Sequence, residues 1–336
     1  MNEKYWKWVI TLSILFILLI ASIVVSLSSG EVRFSLFDLK YILQHKDSLE
    51  YIVLTKIRIP RILLGLSIGG ALSLSGVILQ GIYRNPLVEP YTLGISGGAS
   101  LGVALAIVFG LNLTAGAFML PISGFLGAFI TIFLVYFLSV RKDNFSINRM
   151  LLIGVMISFI ASSSMMFLLA TTTKENIHNI IFWVMGSLDE PNTMLIHFVL
   201  GTSVAGLISS YFFARPLNAL RLGGKRAQHI GVNSALTIRI LFIISSMLVG
   251  ICVAVAGVIG FVGLIIPHLL RIIIGTDFRI LLLSSFMGGS IFIILCDVLA
   301  RTLISPNELP IGVITGMLGG VAFIVVLSSS KSKSAF

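Results

Sequence analysis

The stretch TLGISGGASLGVALAIVFGLNLTAGAFMLPISGFLGAFITIFLVYFLSV, residues 92–140, carries no Asp, Glu, Lys or Arg in 49 positions. A water-soluble domain would have no face of such a segment to turn toward solvent, whereas a bilayer asks for about 20 apolar residues per helical crossing. The stretch accommodates two crossings, at 92–110 and 117–139. Outward from it the rest of the 336-residue chain follows suit, at 57% hydrophobic and 11% charged residues. A sliding window of about 20 residues places further spans at 6–27, 59–82, 150–170, 192–213, 237–257, 258–274, 280–300 and 310–328. Gly257, Gly260, Gly263 and Pro267 divide the long apolar run 237–274. The expected fold is therefore all-α and polytopic, with about ten transmembrane helices in a single transmembrane domain, 1–336. The first span follows Lys4 and Lys7 as a secretory leader would. Its apolar stretch, Val9 to Leu27, is longer than the core of a leader, which makes it a retained helix.

Charge sets the expected orientation. With ten spans and an internal N-terminus, the inner segments hold fifteen basic residues, among them Lys4, Arg84, Lys142, Arg215, Arg221, Lys225, Arg226, Arg279, Lys331 and Lys333. The outer segments hold eight: Arg33, Lys40, Lys46, Lys56, Arg58, Arg61, Lys174 and Arg301. Four acidic residues fall inside (Glu3, Glu89, Asp143, Asp277) and nine outside, so the net +10 divides into +11 inside and −1 outside. The excess of positive charge inside puts both termini in the cytoplasm. It reflects topology and anionic lipid, and is no sign of nucleic-acid binding.

Many of the 32 glycines fall inside spans. Gly65 and Gly69, Gly98 and Gly102, and Gly312, Gly316 and Gly320 recur every four residues, a spacing that lets helices approach closely in lipid. Residues 69–78 echo residues 250–259 at an offset of 181, which also carries Pro86 onto Pro267 and suggests an inverted repeat. Cys252 and Cys296 sit in apolar spans, with no spacing that suggests metal or redox chemistry. Ionisable groups at membrane depth are few: His197, His268, Arg271, Asp297 and Arg301 all fall near span ends. No midplane carboxylate appears, which disfavours an ion-coupled secondary carrier. No metal-binding, nucleophile-elbow or paired-carboxylate motif suggests an enzyme.

Residues 215–234 (RPLNALRLGGKRAQHIGVNS after Ala214) form the longest inner loop. Leu217, Leu220, Ile230 and Val232 give it an amphipathic cast, and Gly223, Gly224 and Gly231 separate two short helical pieces. It either rests on lipid headgroups or docks a soluble partner. The chain lacks a phosphate-binding G-x-x-x-x-G-K-[ST] loop and would not hydrolyse ATP itself.

The segments RIPRILLGLSIGGALSLSGVILQGIYRNPLVEPYTLGISGGASLG (58–102), GVIGFVGLIIPHLLR (257–271), DVLAR (297–301) and ELPIGVIT (308–315) closely resemble the signature of the FecCD family. These are permease subunits of importers for iron–siderophore complexes, haem and vitamin B12. The resemblance runs in one order from Arg58 to about residue 328. It implies a type II ABC importer permease fold that pairs with a second permease subunit, in a homo- or heterodimer, around a central pathway. Two cytoplasmic ATPase subunits would dock below, binding the ATP and magnesium, so that this chain binds no cofactor. An extracytoplasmic substrate-binding protein would dock above. The cargo so implied is an iron–siderophore-type chelate, with haem or cobalamin as the alternative.

Residue by residue, the resemblance assigns binding-protein docking to Arg58, Arg61 and Arg301, a chemistry suited to bidentate pairing with carboxylates. It assigns ATPase coupling to Leu217, Leu220, Leu222, Gly223, Gly224, Ala227, Ile230 and Gly231. Relatives usually carry an acidic residue where this chain has Gly224, followed by Lys225 and Arg226, so the docking surface is more basic than usual. The fifth and tenth helices would face the pathway, with Ser158, Ser162 and Met165 on one and Gly312, Gly316 and Gly320 on the other. Segment 28–57, with Phe34, Phe37 and Tyr41, is expected to form a short outer helix.

Overall fold

The computed structural model describes residues 3–30, 32, 39–111, 118–141, 144–145 and 147–328. Among them every expected span contains a helix. The helices are α1 (Glu3–Ser28), α2 (Leu39–Gln44), α3 (Leu49–Ile52), α4 (Ile59–Tyr83), α5 (Ile95–Val108), α6 (Met119–Ser139), α7 (Ile147–Thr171) and α8 (Lys174–Met185). They continue with α9 (Thr193–Phe212), α10 (Ala214–Leu220), α11 (Gly224–His229), α12 (Ser234–Ala256), α13 (Val262–Ile274), α14 (Phe278–Thr302) and α15 (Ile311–Ser328). A two-residue antiparallel pairing of Val140–Arg141 with Asn144–Phe145 joins α6 to α7. Among the described residues, seven helical runs are long and apolar enough to cross a membrane: α1, Leu49–Tyr83, α6, α7, α9, α12 and α14. Helices α5, α13 and α15 are apolar but shorter.

Helix α4 is the axis of the fold. It is buried along nearly all of its length from Arg61 to Ile82 and packs against α9, α12, α13 and α14. The packing is possible because backbones meet without side chains between them. A β-carbon on Gly69 would collide with the carbonyl of Gly289 on α14, and one on Gly289 with that of Gly69. Gly76 lies in the same way against Gly263 of α13, and Gly98 of α5 against Gly127 of α6. In lipid, where burial of apolar surface does not drive helices together, such close approach is the chief source of attraction. Hydrogen bonds between helices add direction: Ser290 Oγ donates to the Leu66 carbonyl (2.8 Å) and Ser75 Oγ to that of Ser245 (3.2 Å). Cys252 and Cys296 are buried within α12 and α14 as small packing residues.

The two short helices α5 and α13 begin at breaks that are tied together. A 3₁₀ turn at Pro90–Leu93 and a left-handed Gly94 (φ 80°) precede α5. Gly257 (φ 70°) and the left-handed Phe261 (φ 69°) bound the break before α13. Glu89 accepts a hydrogen bond from the Phe261 N–H at 2.6 Å, and the Tyr91 hydroxyl donates to the Ile259 carbonyl at 3.0 Å. Glu89, placed by its sequence on an inner loop, is thus a half-buried bracket between two helix breaks. Deeper, Arg271 donates to Gln80 Oε1 (2.9 Å), whose amide in turn donates to the Gly263 carbonyl (3.1 Å).

The echoing residues 69–75 and 250–256 are both helical, and the two stretches part at the next glycine: Gly76 lies within α4 whereas Gly257 ends α12. Segment 28–57 forms α2 and α3 where it is described, and α3 enters α4 through a π turn at Val53–Arg58. Tyr41 is exposed and stacks on His45, with ring centroids 4.0 Å apart. Arg33, Phe34, Phe37, Lys142, Asp143, Lys331 and Lys333 lie outside the described residues.

Candidate functional sites at the two ends of the bundle

One end gathers the start of α1, the α10–α11 pair and the α13–α14 turn. Asp277 is its centre. The carboxylate caps α14 through the Arg279 N–H (3.1 Å) and pairs with the Arg279 guanidinium (2.7 Å). It also accepts from Asn218 Nδ2 of α10 (2.9 Å) and from Lys4 of α1 (3.0 Å). The Arg279 guanidinium, helped by Asn218 and Lys4, holds the Asp277 carboxyl well below the usual carboxylate range. Arg221 donates to the Thr276 carbonyl (3.1 Å), so α10 is fastened to this turn at two points. A turn at Gly223 (φ 105°), whose carbonyl accepts from the Ala227 N–H, sends the chain into α11, and Gly231 (φ 85°) ends it. The pair presents Arg215, Arg221, Leu222, Lys225, Arg226, His229 and Ile230 to solvent; Leu222 and Ile230 are 57% and 61% exposed.

The opposite end is a rim built from the ends of α1, α4 and α14 and the α8–α9 and α14–α15 loops. Arg61 Nη2 lies 2.7 Å from Glu308 and 3.6 Å from Asp189, and Nη1 lies 3.8 Å from Asp297. Arg301 Nε donates to Asp297 one turn earlier (2.9 Å), and its other nitrogens reach Ser26 Oγ and the Ser29 carbonyl. Arg58 donates to the carbonyls of Leu27 and Val32.

Two further helices carry exposed apolar sides. Exposed Leu152, Met156, Phe159, Met166 and Phe167 occupy one side of α7, and Met317, Val321 and Ile324 one side of α15. Ser162 is exposed on α7, whereas Ser158 packs toward Gly94 and Gly97 of α5, and Met165 toward a small cluster around Val103 and Ile180. Along α15 the three expected glycines differ: Gly312 is pressed against the carbonyls of Met185 and Val258, Gly316 faces open space, and Gly320 just touches Phe261.

The model of the FecCD transport family matches residues 18–329. The chain belongs to that family. The hemin transport permease HmuU of Yersinia pestis is 38% identical over 285 residues, which cover 83% of this chain and 84% of that protein. The vitamin B12 import permease BtuC of Klebsiella pneumoniae is 35% identical over 278 residues, 83% of each. Among solved structures, an inward-facing metal-chelate-type ABC transporter superposes with a TM-score of 0.84 at 34% identity, over 94% of this chain and 98% of that one. The chain is thus an all-helical, multi-pass permease of the ABC importer kind. That family assignment takes the place of the ion-coupled carrier considered from the sequence.

Within this FecCD permease the structure redraws several expected sites. Arg58, Arg61 and Arg301 are 2%, 6% and 8% exposed and are bonded within their own chain, so none stands free at the rim. Arg58 and Arg301 instead pin the end of α1 to α4 and α14. Leu217, Leu220 and Ala227, expected to couple to an ATPase, are buried against the body of the permease, with Leu217 beside Gly81 of α4. Of the apolar coupling residues, Leu222 and Ile230 alone face outward; Gly223, Gly224 and Gly231 shape the turns. Ser158 and Met165 face their own bundle, and the open side of α7 carries large apolar residues. Sequence reading missed α8 altogether, though its Thr173 cap and its amphipathic order (KENIHNIIFWVM) were visible. It also gave no role to Asp277 at one end, nor to Asp189 and Glu308, which meet Arg61 at the other end only through the fold.

Proposed function

We propose that this permease is the membrane subunit of an ATP-driven importer for a metal chelate of the iron–siderophore type. Both termini lie in the cytoplasm in this reading, and the chain pairs with a second permease subunit. Two cytoplasmic ATPases bind ATP and magnesium, and this chain holds no cofactor of its own. A substrate-binding protein delivers cargo to the outer rim. The observation that carries the reading is the α10–α11 platform: two exposed apolar side chains, Leu222 and Ile230, ringed by exposed Arg215, Arg221, Lys225 and Arg226. Such a patch on the end of a membrane bundle suits a cleft with an acidic lip. Asn218, Arg221 and Asp277 provide the lever from that platform to α14 and α1.

The test is reconstitution with the ATPase and the binding protein encoded beside this chain, measuring ATP hydrolysis with binding protein loaded with a ferric siderophore, haem or cobalamin. Stimulation by the siderophore form alone supports the full reading. Stimulation by haem or cobalamin, cargo named for the two relatives, keeps the mechanism and changes the substrate. Absence of stimulation in an assembled complex overturns the reading.

A further inference from the structure

We infer that Arg61 is an exchangeable lock on the outer rim: this chain's own carboxylates, Glu308 and Asp189, occupy its guanidinium, and a partner's carboxylate docks by displacing them. The inference rests on the reading that the rim receives a binding protein.

The three rim arginines differ in what holds them. Arg58 is bonded to main-chain carbonyls, and Arg301 to Asp297, Ser26 and Ser29. Asp297 is itself only 6% exposed in its side chain. To free Arg301 would leave the buried Asp297 without its partner, and to free Arg58 would leave two carbonyls and a buried guanidinium unpaired. Arg61 is different. Its side chain is 7% exposed, but two of its three carboxylates face water, Glu308 at 49% and Asp189 at 72%. Both acids are largely exposed, so each regains its hydration when it swings into solvent. Asp297 stays behind as the buried counter-charge that keeps Arg61 aimed outward.

The geometry also leaves something for a partner to gain. Glu308 is bonded to Nη2 alone, and the buried Arg61 Nε has no acceptor among the described residues. Nε and Nη2 form the side edge of the guanidinium, which a carboxylate engages through two parallel bonds. An incoming carboxylate that takes both replaces one bond with two. The exchange has a structural consequence. Asp189 lies in the α8–α9 loop and Glu308 in the α14–α15 loop, and Arg61 ties both to the central helix α4. The ends of those helices are also joined where the Ile311 N–H donates to the Gly186 carbonyl (3.1 Å). Docking at Arg61 therefore releases the α8–α9 and α14–α15 loops from Arg61 at the same moment.

The experiment measures the affinity of the neighbouring-encoded binding protein for the assembled complex in nanodiscs, for wild type, Asp189→Asn, Glu308→Gln and the double variant. Asp189→Asn changes an exposed loop residue and preserves shape, so the series does not depend on a fragile variant. The double variant is expected to bind about three- to tenfold tighter, the range set by removing weak competing pairs. Unchanged affinity overturns the lock; weaker binding overturns it too, by making the two acids themselves the docking surface. As a second readout, amide exchange at 186–192 and 303–310 should speed up when the binding protein is added to wild type, and be fast beforehand in the double variant. No change at either segment refutes the coupled release. A wild-type complex that ignores its binding protein overturns the functional reading as well, whereas a stimulated wild type with unaltered variants defeats the lock alone.

Discussion

Replacing Asp277 gives the sharpest test of how the α10–α11 platform is joined to the membrane helices. Three of its interactions have separable magnitudes. As a helix cap it contributes about 1 kcal/mol. As a charged acceptor for Asn218 it contributes about 1.5 kcal/mol. Its pair with the half-exposed Lys4 adds a few tenths, and the Arg279 guanidinium, the main cause of its depressed carboxyl, adds a water-screened charge contribution to these. Asp277→Ala should therefore destabilise the permease by about 2–3 kcal/mol, whereas Asp277→Asn, an equally good cap with one acceptor oxygen kept, should cost about 0.5–1 kcal/mol. Unfolding in mixed detergent micelles reads both. Acidity separates the charge from the cap. Because the native carboxyl is held below its ordinary value of about 3.9, its charge-dependent contribution is fully present above that pH and is lost as pH falls toward the depressed native value. The gap between wild type and Asp277→Asn should stay constant from pH 5 upward and close below pH 4. An asparagine variant as unstable as the alanine one, or a gap that widens in acid, would refute this account.

Three further sets of substitutions probe the packing, the platform and the end of α4. Gly69→Ala or Gly289→Ala should cost about 1–3 kcal/mol or prevent folding, because backbone cannot yield as a side chain can, while Gly316→Ala should be neutral or stabilising; thermal unfolding in detergent ranks them, and the reverse order would contradict the packing. Leu222→Asp with Ile230→Asp should leave stability within about 0.5 kcal/mol of wild type yet abolish stimulated ATP hydrolysis, whereas Leu217→Asp should unfold the chain; equal effects on both measurements would show that the two faces were misassigned. Arg84→Gly should raise stability by about 0.5–1 kcal/mol, since Arg84 ends α4 in the left-handed region (φ 50°) that glycine enters freely, and a lower unfolding midpoint would count against it.

The crossings are legible in the sequence because lipid punishes any exception: charge-free runs admit one reading. Their lengths are less so. Span 92–110 shrinks to α5 and 258–274 to α13 because Glu89, Tyr91 and Phe261 clasp two breaks together, a contact between residues about 170 positions apart. Glycine pairs at four-residue spacing announce close packing, but which backbone each one meets depends on the fold. The coupling loop shows a different limit. Periodic Leu217 and Leu220 mark an amphipathic piece, and the apolar side of such a piece covers its own protein before it meets another. The Asp297–Arg301 pair is legible as one helical turn, but the internal partners of Arg61 are not, since Glu308 and Asp189 reach it through loops.

The contacts of Gly69 with Gly289 and of Gly76 with Gly263 have a mechanical consequence. Surfaces that touch backbone to backbone have no rotamers with which to absorb sliding, so α4, α13 and α14 behave as a single stiff block. Helix α7, by contrast, makes its backbone contact through Gly154 with the turn at Leu93 and Gly94, apart from α4. Whatever stroke this permease makes must be divided accordingly: a stator built around α4, and a rotor made of the helices that glycine does not weld to it.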